Sequence, residues 1–123
     1  MRVLIIDDDA AYLSACRLVL AQDGHNVITA SSFTDGRRWL EEYNFDALIA
    51  DVRLGAYNGL HLITLAAPST VKIAMSAFAD TVIRRDAEEA GARFVVKPSD
   101  SASLAALLPA AGVASEGNDG GSA

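Results

Sequence analysis

Five short aliphatic runs, at 2–6, 26–30, 46–50, 71–75 and 93–96, alternate with longer stretches whose apolar residues recur at helical spacing. Most of the runs are apolar on successive residues rather than on every second one. A strand with that pattern needs cover on both faces, the situation of a parallel sheet between two layers of helices. Helices are expected at 10–22, with Leu13, Cys16 and Leu20 on one face and Asp23-Gly24 as the stop, and at 33–43 after the cap candidates Ser31 and Ser32. A third starts near Gly59 and is cut short by Pro68, and a fourth spans 80–90 before Gly91. A fifth follows Asp100, with Leu104, Leu107, Leu108 and Ala111 on one face. Five βα units in series predict an α/β fold: a doubly wound five-stranded parallel sheet with right-handed crossovers and strand order 2-1-3-4-5.

The chain has 123 residues, 51% of them hydrophobic and 21% charged, as expected for one soluble globular domain. Residues 112–123, "GVASEGNDGGSA", hold four of the nine glycines and almost nothing apolar. The domain is therefore expected over 1–111, followed by a disordered tail or linker. A net charge of −6 speaks against direct nucleic-acid binding and against an anionic membrane surface. No apolar run reaches membrane-spanning length, and the lone Cys16 fits a reducing compartment. The first strand starts within two residues of Met1, leaving no room for a signal peptide, so a cytoplasmic location is expected. His25 and His61 lack metal-ligand spacing and are expected at the surface. Trp39 and Tyr43 are expected to pack partly onto the sheet.

In the expected strand order, ligands bind beyond the carboxyl ends of the strands, at the switch point between the first and third. The first strand is followed by Asp7, Asp8 and Asp9, and the third by Asp51 in "LIADVRL". The fourth is followed by Ser76 in "IAMSAFAD", and the fifth by Lys97 in "FVVKPSD". Neighbouring carboxylates repel one another, and a hard divalent cation relieves that repulsion while retaining room for a phosphate oxygen. A carboxylate beside such an ion, with a hydroxyl and an ammonium to share the charge, suits phosphoryl transfer onto aspartate. As plain structural residues, one of the three aspartates would cap the first helix, and Asp9 is the candidate. Ser76 alone would be a loop serine, Lys97 a solvated surface charge and Phe94 a core aromatic.

Together "IIDDDA", "DALIADVRLGAYNGL", the hydroxyl of "AMSA" and "AGARFVVKPSD", in this order at these strand ends, resemble the response-regulator receiver domains of two-component signalling. The resemblance covers nearly all of residues 1–111 and implies a flavodoxin-like fold. It implies Asp51 as phosphoacceptor and Mg²⁺ held by Asp7, Asp8, Asp51 and the backbone carbonyl of Arg53. It further implies Lys97 and Ser76 as catalytic groups, Ser76 and Phe94 as the switch pair, and a cis Lys97-Pro98 peptide. A histidine kinase or histidine phosphotransfer protein would donate the phosphoryl group. The signal would pass through the fourth helix, fifth strand and fifth helix to a downstream protein or a fused output domain. Such a domain accelerates its own phosphorylation and dephosphorylation and is not an enzyme acting on an outside substrate. Two departures stand out: Gly55 where most members have proline, and a stretch from Gly59 to Thr70 shorter than usual, which truncates the third helix. A phosphatase using an aspartyl phosphate would need a second aspartate at position 53, where this chain has Arg53. A pseudo-receiver, a pure interaction module, would not be expected to keep the whole acidic, hydroxyl and lysine set.

Overall fold

The strand runs and helical stretches all form in the computed structural model, which describes residues 1–98 and 101–108. In chain order they are β1 (Arg2–Ile6), α1 (Ala10–Gln22), β2 (Asn26–Ala30), α2 (Phe33–Glu42), β3 (Ala47–Asp51), β4 (Arg53–Leu54) and β5 (Tyr57–Asn58). There follow α3 (Leu60–Leu65), β6 (Val71–Ser76), α4 (Thr81–Glu89), β7 (Arg93–Val96) and α5 (Ser101–Ala105). The main sheet is parallel throughout, in the order β2-β1-β3-β6-β7. This is the expected 2-1-3-4-5 arrangement, with β6 and β7 as its fourth and fifth strands.

Strand residues alternate between two core layers, which explains why the runs are apolar without interruption. Leu4, Ile6, Leu48, Ala50, Ala74 and Phe94 meet one layer, with Leu62 and Ile63 of α3 and Ala87 of α4. Val3, Ile5, Ala47, Ile49, Ile73 and Met75 meet the other, with Leu13, Cys16 and Leu20 of α1 and Leu104 and Leu108 at the α5 end. Carried to the end of β3 and one step past β1 and β7, the alternation puts Asp51, Asp7 and Lys97 on the α1 side. Ser76 and Phe94 then fall on the α4 side.

Several details differ from expectation. β3 and β6 run one residue further, so Asp51 and Ser76 end strands rather than follow them. Residues 53–58 form a small antiparallel hairpin whose turn holds Gly55 at φ +61°, a conformation proline cannot adopt. α3 has only six residues, as its short segment predicts. α5 ends at Ala105, and although Leu104 and Leu108 are buried, Leu107 is only partly so. Every peptide bond among the described residues is trans, Lys97-Pro98 included, which is the isomer X-Pro bonds ordinarily favour. His25 is buried rather than at the surface, because the first rung of the β1–β2 ladder places it beside Met1, whose amine lies 3.3 Å from its Nδ1. His61 is exposed, and Trp39 packs on the core while Tyr43 remains largely outside. Residues 112–123, expected as a tail or linker, lie outside the described residues, as does Ala111. Among the described residues no helix is long and apolar enough to cross a membrane.

Candidate functional site

The β1–β3 register sets Ile6 against Ala50, so the next residues, Asp7 just past β1 and Asp51 at the end of β3, lie side by side. Asp7 continues the ladder by donating its backbone N–H to Ala30. Asp8 follows it into solvent. Each of Asp7, Asp8 and Asp51 offers a carboxylate oxygen, all three within 4.8 Å of one another. Three carboxylates so close repel strongly unless protons or cations intervene.

Local hydrogen bonds hold them in place. Asp7 Oδ1 accepts from the N–H of Asp9 at 2.9 Å, and Asp51 Oδ1 accepts from the N–H of Arg53 at 3.2 Å. Asp9 caps α1, its side chain accepting from the N–H of Tyr12, as its place in the triplet predicts. Lys97 leaves β7, where its N–H bonds the Ser76 carbonyl, and its Nζ lies 2.6 Å from Asp7 Oδ2 and 3.9 Å from Asp51 Oδ2. Asp7 Oδ2 is thus buried against the ammonium, the tightest ion pair of the cluster. Burial pulls the Lys97 pKa down, but the Asp7 and Asp51 carboxylates outweigh it and the net shift is upward.

Asp51 is the perturbed acid of the cluster. Burial first, and then the charge of Asp7, push its pKa from 3.8 to about 6, while the Arg53 amide and Lys97 act in the opposite sense and Asp8 adds a further upward push. The site has more negative charge than its one lysine can balance. A hard cation fits this donor set: three clustered carboxylate oxygens with a single ammonium beside them.

Ser76 is buried, and its Oγ accepts from the N–H of Phe78 at 3.3 Å. Phe94 is also buried, with the Arg84 guanidinium of α4 5.0 Å from its ring centroid. The side chain of Arg53 points outward; only its backbone touches the cluster.

Two participants escaped the sequence reading. A Cβ at Gly59 would overlap the carbonyl oxygen of Asp51, so glycine there lets the hairpin close onto the end of β3. Tyr12 places its ring under Lys97, with Nζ 4.3 Å from the centroid. Its spacing from Asp9, the i+3 of the cap, was the one available signal.

The family described as the response regulator receiver domain matches residues 3–109. Over 101 residues the chain is 35% identical to the alginate biosynthesis transcriptional regulatory protein AlgB of Pseudomonas aeruginosa, covering 79% of this chain and 22% of that protein. The chain thus spans about a fifth of the length of such curated relatives. It superimposes on a CheY-like response regulator receiver domain protein from Methanospirillum hungatei with a TM-score of 0.78 and 28% identity, over 84% of this chain and 86% of that one. The BeF3-activated receiver domain of DrrB, from Thermotoga maritima, gives 0.75 and 27% over 86% and 92%.

Proposed function

The chain belongs to the receiver domains of two-component response regulators, and from that membership we propose that it accepts a phosphoryl group on Asp51 from a histidine kinase or histidine phosphotransfer protein. The observation that carries this is the convergence of Asp7, Asp8 and Asp51 beside the Lys97 ammonium.

Asp51 suits the acceptor role better than its neighbours. Asp7 is fully buried, with one oxygen on the Asp9 amide and the other against Lys97. Asp8 is exposed and has no lysine partner among the described ion pairs. Asp51 keeps one oxygen on the Arg53 amide, and its other oxygen lies at the longer distance from Lys97, with part of the side chain open to solvent. In transfer, that oxygen forms the new P–O bond as the donor's P–N bond breaks, and Lys97 offsets charge on the phosphoryl oxygens.

Asp7, Asp8, Asp51 and the carbonyl of Arg53 would hold Mg²⁺. Bound there, Mg²⁺ would neutralise the acids and polarise the phosphoryl group. Ser76 would donate its hydroxyl to the new phosphoryl group and pull the β6–α4 loop inward, with Phe94 reporting the shift to α4, β7 and α5. The domain would accelerate only its own phosphorylation and dephosphorylation. Because the chain covers 22% of a transcriptional regulatory relative, a fused output domain or a separate protein partner is proposed to read the switch. The acidic balance argues against direct nucleic-acid or membrane contact, and a cytoplasmic location fits the scheme.

Titration with beryllofluoride, a phosphoryl mimic, tests the proposal. Saturable binding should require Mg²⁺ and should disappear in Asp51→Asn. Absence of any binding with Mg²⁺ present would leave a pure interaction module instead.

A further inference from the structure

The geometry points to Tyr12 as a positioning residue for Lys97, holding its ammonium within reach of both Asp7 and Asp51. The inference builds on the phosphoacceptor role proposed above, but the contact behind it stands on its own. Lysine is a flexible point charge, and placing it loses rotamer freedom that its partners must offset. Its Nζ makes a short ion pair with Asp7 at 2.6 Å, while Asp51 is 3.9 Å away. Asp7 alone would draw the head group to one side, and Asp51 is too far to hold it between the two. The third neighbour is the ring of Tyr12, 4.3 Å from Nζ to the centroid, within range for attraction between a cation and the π face.

The ring is itself anchored to the acidic cluster through a closed circuit. Asp7 Oδ1 accepts from Asp9, Asp9 Oδ1 accepts from the N–H of Tyr12, the Tyr12 ring faces Lys97, and Lys97 returns to Asp7. Any shift of the α1 cap is thereby passed to the lysine. The hydroxyl has no part in this: it is buried, without a hydrogen-bond partner of good geometry, and Cys16 lies one helical turn further along. A plain packing role would require only an apolar side chain of similar bulk. A positioning role requires an aromatic face and is indifferent to the hydroxyl.

Tyr12→Phe and Tyr12→Leu separate these two roles. In metal-free protein, NMR should find the Lys97 ε-methylene protons shifted upfield by the ring in wild type and in Tyr12→Phe, and at ordinary lysine values in Tyr12→Leu. Labelling by acetyl phosphate, run well below each variant's unfolding midpoint and at saturating phosphodonor, should match wild type in Tyr12→Phe. In Tyr12→Leu it should be roughly three- to tenfold slower. An ordinary Lys97 shift in wild type would overturn the inference, as would equal labelling rates in wild type and Tyr12→Leu. Slowing of Tyr12→Phe to the level of Tyr12→Leu would overturn it too. Wild-type protein that takes no phosphate would refute the phosphoacceptor role alone, and the lysine shift would still decide whether Tyr12 holds Lys97.

Discussion

Two neighbouring stretches of one sheet edge depart from ordinary burial in opposite directions. At the β1–β3 ends, Asp7 is 0% and Asp51 8% exposed, although carboxylates are seldom buried. Around β6, α4 and β7, Phe78 is 67%, Val82 54% and Val96 42% exposed, although apolar groups are usually covered. Ser76, which ends β6, is the residue between them. The first stretch keeps charge out of water, where electrostatic effects are strong. The second leaves apolar surface in water, where another protein can cover it. Departures from local rules concentrate where a protein works, and here they separate the proposed chemical region from a proposed contact region.

Removing the proposed acceptor should have the largest effect on that contrast. Asp51→Asn is expected to abolish incorporation of base-labile phosphate from acetyl phosphate while the fold persists; labelling that survives would move the acceptor elsewhere. The same variant tests the burial of charge. With a carboxyl pKa of about 6 instead of 3.8, the folded protein holds a proton between those values that the unfolded chain has released. Without metal, this group therefore costs stability as pH rises from about 4 to about 6. The Asn variant lacks that loss and should be more stable at pH 7 by about 1–3 kcal/mol in urea unfolding with chelator present. A wild type whose stability does not fall over that interval relative to the variant would contradict the raised pKa.

Asp8→Ala should come next, lowering Mg²⁺ affinity and phosphorylation together by on the order of tenfold or more. Calorimetry showing unchanged Mg²⁺ binding would remove Asp8 from the ligand set. With less repulsion, the metal-free variant should also gain a little stability.

Ser76→Ala addresses the boundary itself. Phosphorylation should continue, but the chemical-shift response to beryllofluoride should weaken along residues 80–98 and 101–108, since a ligand moves an equilibrium only through differential contacts. A full response in this variant would mean that the two regions communicate by another route. The smallest effect is expected from Val82→Ser, with stability changed by no more than about 0.5 kcal/mol and labelling rates unaltered. A slowed labelling rate would show that the contact region is not separate from the chemistry.

Much of this was legible in the chain. Uninterrupted apolar runs require cover on both faces, and five of them with helical stretches between leave little choice of sheet. The polar residues at the strand ends then name their own location, and Asp9 declared itself a cap by its place before a helical pattern. What did not show was decided by contacts between distant segments. His25 reads as a turn residue, yet the β1–β2 ladder buries it against Met1. The 53–58 hairpin is too short to leave a periodic signal, and Gly59 matters only because the end of β3 lies against it. Tyr12 and Lys97 are 85 positions apart, and no local pattern links them. Periodicity thus determined the layers, the strand ends and the residues gathered there, because burial repeats along the chain. The short approach of Lys97 to Asp7, the raised pKa of Asp51 and the ring beneath the ammonium belong to the tertiary structure alone, because charge and contact depend on distance in space.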